Sequence, residues 1–303
     1  MIYKYFTNED IVPVAKLCRQ SMPLDIMPDF LLKEKTIEDP DFDKELTIIA
    51  LSKDAKEPIA FIQGVIRSRD EGLVGYIKLI CVNDNFRRKG IAASLLKQVE
   101  DKMKGRGVNV VRVYESYPNY FMPGVDPFYT EAVCFFERSG YKKFNDTSNL
   151  ICDLTNKDFT TEKEEAILLK DDIVCKRAEE NDRENINDWL EKNFAAWKAE
   201  VSASYWNTPV SLHIALLKGK VVAFSAYEAN NRGTGWFGPM GTDKVLRGKK
   251  VGGILLKRCL ADMKQMGFVK AIIPWVGPIP FYMHYADAKV QRVFWRYEKY
   301  FNK

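Results

Sequence analysis

"FRRKGIAASLL" (Phe86–Leu96) sets three consecutive cations directly before a glycine and then opens a run of small and leucine residues at helical spacing. The β-branched run "VGYIKLICV" (Val74–Val82) precedes it, so the pattern predicts a strand, a tight loop and a helix N-terminus. Backbone N–H groups point outward at such a helix start, and the helix dipole adds partial positive charge. A glycine lets the backbone approach a ligand, and the cations add charge-assisted hydrogen bonds, so the stretch suits a diphosphate. The competing reading is a solvated basic turn. Three cations at a helix N-terminus oppose the dipole unless an anion relieves them, which favours the cradle. The phrase recurs as "LRGKKVGGILL" (Leu246–Leu256), with Arg247 lying 160 residues after Arg87.

The surrounding elements recur as well. "MIYKYF" reads as a strand and "TNEDIVPVAKLCRQ" as a capped helix, followed by a hairpin of "ELTIIALS" and "PIAFIQGVIRSRD" around "KDAKE". After the cradle helix come the strand "VNVVRVYES", the loop "YPNYFMPGVDP", the helix "FYTEAVCFFERSGY" and a strand near "NLICDL". The second half repeats this order through "DIVCKRAEENDRENINDWLEKNF", the hairpin "VSLHIALLKGKVVAFSAYEA", "TGWFGPMGT", "ILLKRCLADMKQMG", "FVKAIIPWV", "IPFYMHYADA" and "QRVFWRYEKYF". An internal duplication in a chain of 303 residues follows, with domains at 1–155 and 173–303 and a charged linker at 156–172 that carries a partial helix.

Composition narrows the partners. A net charge of +5 suits an anionic small molecule at least as well as a nucleic acid, and no block of like charges resembles a nucleic-acid-binding tail. The six cysteines never form a C-x-x-C pair and read as reduced core residues; with two distant histidines they predict no metal site. No signal-peptide pattern and no bilayer-length apolar run are present, so a cytoplasmic protein without membrane contact is expected. Oligomeric state is not legible.

Strand, "V-x-x-x-F-R-R-K-G-I-A", helix, strand, and then "A-V-C-F-F-E-R-S-G-Y" resembles the GNAT superfamily of acetyl-CoA-dependent N-acetyltransferases, and the second half resembles it too. The resemblance implies an α/β (α+β) fold of two tandem GNAT domains, each a mixed, largely antiparallel sheet flanked by helices. It implies acetyl-CoA as co-substrate, its pyrophosphate in the cradle and its pantetheine along the strand before it. The first-copy positions are Ile80, Cys81 and Val82, with Arg87, Arg88, Lys89, Gly90, Ile91 and Ala92. The second-copy positions are Pro239, Met240, Gly241 and Thr242, with Arg247, Gly248, Lys249, Lys250, Val251, Gly252 and Gly253.

Each copy departs from the family pattern. Phe136 stands where the family places a general-acid tyrosine, so the first copy is expected to bind acetyl-CoA without using it. In the second copy Lys250 replaces a cradle glycine, which is harmless if the backbone is already helical there, and Tyr282 keeps the acid. The second copy is therefore expected to be catalytic. Asp287 is the first choice for the base and for holding an ammonium substrate, ahead of Glu228 and Asp243. Tyr297 is the rival acid, and His284 a weaker proton relay. Aromatic, proline-rich loops carrying Tyr120, Asp126 and Trp275 suit a sugar ring and a cationic amine. Tandem GNATs of this size resemble glucosamine or glucosaminide N-acetyltransferases and mycothiol synthases, which makes an amino sugar of cell-wall recycling the leading acceptor. Aminoglycosides, protein lysine and a non-catalytic acetyl-CoA sensor are the other readings.

Overall fold

The computed structural model describes residues 2–53, 57–246 and 248–301. The chain forms two compact units, Met1–Thr147 with Val293–Lys303, and Ser148–Arg292.

The first unit begins with β1 (Ile2–Tyr5) and α1 (Ile11–Ser21). Asp10 ties down the start of α1, its Oδ2 accepting from the Thr7 N–H and hydroxyl at 2.9 Å. Val14, Leu17 and Cys18 recur at helical spacing and are buried. Next come α2 (Asp29–Lys35), β2 (Thr47–Leu51), β3 (Pro58–Arg69), β4 (Gly72–Val82) and α3 (Ile91–Gly105). β5 (Val110–Val113), α4 (Thr130–Arg138) and β6 (Lys142–Asp153) follow.

The second unit contains α5 (Glu162–Leu169), β7 (Ile173–Arg177), α6 (Arg183–Asn193), α7 (Lys198–Ala203), β8 (Leu212–Leu217) and β9 (Lys220–Tyr227). β10 (Phe237–Thr242), α8 (Val251–Gln265), β11 (Lys270–Ile273), α9 (Ile279–Ala286) and β12 (Lys289–Tyr300) complete the order.

In the first unit β1, β2, β3 and β4 pair antiparallel in sequence order, β4 pairs β5 in parallel, and β5 pairs the end of β12 antiparallel. In the second, β7 to β10 form an antiparallel sheet, and β11 pairs the end of β6. The parallel bridge Trp236↔Ile272 repeats, at the offset of the two cradles, the β4–β5 pair Tyr76↔Arg112. Both units are thus mixed and largely antiparallel, with helices against the sheet.

One feature departs from the sequence pattern. The last strands are exchanged: Leu150–Asp153 pair with β11 in the second unit, and Glu298–Tyr300 pair with β5 in the first. Residues 148–155 therefore leave the first unit and 293–303 join it. Which partner a strand finds is a non-local matter that alternation along the chain does not encode. The stretch at 156–172 does carry a helix, α5, and it is tied to the second unit. Its helix α5 is ion-paired to α8 of the same unit, Glu164 to Lys257 at 2.7 Å and Glu165 to Arg258 at 2.8 Å.

Candidate active site

Strands β4 and β5 run side by side from Val74↔Val110 to Ile77↔Val113 and then part. Their last bond carries the Tyr114 N–H to the Ile77 carbonyl at 2.8 Å. Just past it β4 bulges: Gln63 faces Leu79 while Gly64 faces Ile77, so Lys78 is the extra residue. Beyond the fork, residues 79–82 keep β3 on one side and have no pairing to β5 on the other. A ligand with amide groups can add there as a strand would.

The fork opens into a cavity of about 790 Å³ in the first unit. Ile80, Cys81 and Val82 line it from β4, the start of α3 and the α4 segment from Tyr129 to Ser139 line it as well, and Tyr114 and Met122 add to the lining. Of the first-copy positions named above, Lys89 alone is absent from the lining; Arg87, Arg88, Gly90, Ile91 and Ala92 all face it.

The start of α3 is built for an anion. Gly90 caps it at φ 77°, and Arg88 also sits in the left-handed region at φ 59°. The Arg87 guanidinium is held by Asp84 at 2.7 Å and donates to the Ser21 carbonyl at 3.2 Å. Lys89 donates to the Asn85 carbonyl at 2.9 Å. Exposed Arg88 forms no ion pair among the described residues and lines the cavity, a free charge at a helix N-terminus.

The second copy is built differently. Gly248 and Lys250 take up the two left-handed positions at φ 86° and 63°, so the lysine does adopt an unusual backbone angle. The helix entry needs that conformation whichever residue stands there. Lys249 is engaged by Asp171 at 2.7 Å. Arg247 lies outside the described residues. Side chains of its own unit pack against the first turn of α8: a β-carbon on Gly253 would lie 2.2 Å from the Tyr285 ring, and one on Gly252 would lie 3.2 Å from Thr242 Oγ1 and 3.4 Å from Phe281. Gly241 faces Phe194 and Phe224 at 2.9 Å by the same measure, Met240 also lies against Gly252, and Pro239 offers no N–H. Val251 is buried in the core.

The residues named for catalysis are divided between the two units. Tyr297 lies in the first unit, fully buried on β12, where its hydroxyl donates to Glu137 Oε1 at 2.9 Å. Tyr282 stays in the second unit, packed against Phe237 and Phe281 in the core, and burial pushes its phenol up to about 12. Asp287 ends α9 at φ 46° and pairs with Lys157 at 3.3 Å. Glu228 is a turn clamp whose Oε1 accepts the Trp236 N–H at 2.8 Å, and Asp243 caps the following turn by accepting from Val245 at 3.0 Å. His284 packs edge-on to Tyr285. Trp275, at φ 47°, donates its N–H to Asn149 at 3.1 Å. Tyr120 and Asp126 are buried in the β5–α4 loop, which contributes Met122 to the cavity, and Asp126 Oδ1 accepts the Phe128 N–H at 2.9 Å.

Sequence reasoning passed over the polar groups beside the fork. Lys78 is fully buried against Asp39, which Arg67 also meets at 2.8 Å. Burial drives the Lys78 ammonium down to about 7 despite Asp39. Burial also works to raise Asp39, but Lys78 and Arg67 outweigh it and hold the carboxyl below its usual 3.8. Glu115 is raised by burial even though Arg296 grips it at 2.5 and 2.8 Å. A lysine in the middle of an apolar strand was the one available signal.

The acetyltransferase (GNAT) family model matches residues 18–122 and 176–282, more than half of the chain and once in each unit. The chain belongs to the GNAT acetyltransferase family. It is a tandem GNAT by fold as well. A GCN5-related glucosamine N-acetyltransferase region of a fungal multi-domain GH3 β-N-acetylglucosaminidase superposes with a TM-score of 0.82 at 19% identity, covering 98% of this chain and 38% of that one. A GCN5-related N-acetyltransferase from Sphaerobacter thermophilus gives 0.71 at 16% identity, covering 99% and 95%. A tandem GNAT protein from the clavulanic acid biosynthesis pathway gives 0.67 at 12%, covering 99% and 98%. The chain thus spans well under half of the fungal protein's length. No curated protein is significantly similar in sequence. Among the described residues of this GNAT chain, no helix is long and apolar enough to cross a membrane, and no group of His, Cys, Asp and Glu is arranged to hold a metal ion.

Proposed function

We propose that this GNAT enzyme transfers the acetyl group of acetyl-CoA to a primary amine in the first unit, and that the second unit is a structural repeat. This reverses the expectation drawn from Tyr282 and Phe136. The observation that carries it is the pairing of the open β4 edge with the start of α3 around one cavity, against the first turn of α8, where Tyr285 packs on Gly253 and Phe281 on Gly252. Pantetheine amides would pair along Ile80–Val82, and the diphosphate would meet the α3 N–H groups, Arg87 and Arg88.

An amino sugar of the glucosamine type remains the proposed acceptor. The aromatic β5–α4 loop, which contributes Met122 to the cavity, supports it, as does the fold shared with a glucosamine N-acetyltransferase region. The test is thiol release from acetyl-CoA with glucosamine, a chitobiose-type glucosaminide, an aminoglycoside and a lysine peptide. Turnover confined to the glucosamine compounds, weakened at low acetyl-CoA by Arg88→Ala and unchanged by Lys249→Ala, supports both parts. Turnover that survives Arg88→Ala and fails with Lys249→Ala returns catalysis to the second unit. Binding of acetyl-CoA with no turnover on any amine favours the sensor, the reading that Phe136 motivates.

A further inference from the structure

The departing thiolate needs a proton, and α4 of the first unit has a phenyl ring, Phe136, where a hydroxyl is expected. Tyr114 packs edge-on to that ring, with centroids 6.3 Å apart at 81°. It lines the same cavity. Its backbone turns at the fork with φ 65°, in the left-handed region that a bulky side chain rarely adopts, while its N–H makes the final β4–β5 bond. Strain of this kind persists where the surrounding structure holds a side chain in a required place. We propose that Tyr114 is the acid that protonates the leaving thiolate, supplying from β5 the hydroxyl that α4 lacks. The proposal rests on the first unit being the catalytic one.

The Tyr114 hydroxyl is uncommitted. Among the described residues it makes no hydrogen bond, whereas the neighbouring phenol of Tyr129 donates to Asp25 Oδ2 at 2.6 Å and accepts from the Leu24 N–H at 3.0 Å. Burial raises the Tyr114 phenol well above its ordinary 10, with Cys81 adding to the effect, so it carries its proton at neutral pH. The Cys81 thiol is a weaker choice, its sulfur lying 3.7 Å from that of buried Cys18.

The step balances. The amine lone pair forms a C–N bond to the thioester carbon, and the C–S bond then breaks with its electron pair on sulfur. The proton on Tyr114 Oη moves to that sulfur, and the proton released by the nitrogen returns to the phenolate through solvent. Amide and free thiol result.

Tyr114→Phe removes one oxygen and keeps the ring against Phe136. In the full chain, acetyl-CoA affinity is measured by calorimetry and kcat by thiol release with the best amine of the panel. The expected result is an unchanged Kd, a kcat lower by ~10²-fold, and recovery of at least ~10-fold when Phe136→Tyr is added to the variant. Wild-type turnover that Tyr114→Phe leaves intact overturns the role of Tyr114 while the proposed function stands. A weakened Kd, or a loss that Phe136→Tyr does not recover, assigns Tyr114 to packing and overturns the role too. A wild-type chain that acetylates none of the amines overturns the proposed function, and this role with it.

Discussion

The Tyr285 ring lies against the backbone of Gly253, so close that a β-carbon at 253 would sit 2.2 Å from Cε1 and 2.4 Å from Cδ1. In the first unit the start of α3 borders a cavity; in the second, α9 packs an aromatic side chain against the first turn of α8. Gly253→Ala should therefore overpack the second unit by about 1–3 kcal/mol, seen as a lower urea midpoint. Acetyl-CoA titrated by calorimetry should still bind once per chain; two sites of similar affinity would contradict the proposed function.

Lys250 holds the left-handed position that Gly90 holds in the first unit. Lys250→Gly should stabilise the chain by about 1–2 kcal/mol, since glycine adopts this angle without penalty. Gly90→Lys should cost a similar amount and weaken acetyl-CoA binding besides. Denaturant melts of the two variants check the opposite signs.

Arg88 lines the cavity without an ion pair, while Lys249 is held by Asp171. Arg88→Ala should raise the Kd for acetyl-CoA by ~10-fold, the loss of a charge-assisted hydrogen bond, and Lys249→Ala should not move it. Titration at low and moderate salt should show the Arg88 effect shrinking as ions screen it.

His213 donates through Nε2 to Asp262 at 2.6 Å and accepts at Nδ1 from Arg258 Nε at 3.1 Å, which fixes the neutral ring. Burial lowers its pKa below 6.5, with Arg258 and Arg177 helping and Asp262 opposing. The unfolded chain then takes up a proton that the folded chain refuses, so stability falls as pH drops below 6.5 towards the folded value. Wild-type urea midpoints should drop more between pH 7 and pH 5 than those of His213→Gln; equal drops would remove His213 from the account.

Tyr297 reaches Glu137 from the exchanged strand and belongs to the first unit, whereas Tyr282 and Asp287 belong to the second. Tyr297→Phe should cost about 1 kcal/mol of stability and leave kcat within twofold. A hundredfold loss of kcat at unchanged stability would restore it as the acid.

Much of this was legible in the chain. The strand–cradle–helix phrase at 86–96 and its echo at 246–256 carry local information: period-2 and period-3.6 patterning, cations and glycine at a helix entry. α3 and α8 begin at Ile91 and Val251, where that phrase places them. Patterning failed where partners were non-local. Tyr282 and Asp287 look catalytic by position along α9, yet one is packed in the core and the other pairs with Lys157. Tyr114 looks like an ordinary strand tyrosine, because the fork and the left-handed turn that aim it arise only when β4 and β5 meet.

The sequence by itself determined the family, the duplication and the position of both helix entries, because each is written in residues adjacent along the chain. Only the tertiary structure decided what packs against each entry. Whether a helix N-terminus meets a ligand or a neighbouring ring depends on side chains tens of residues away, Tyr285 over Gly253 in one unit and Tyr114 beside a cavity in the other. The same holds for the exchanged strands, whose hydrogen bonds are satisfied equally well by either sheet as far as local alternation can tell.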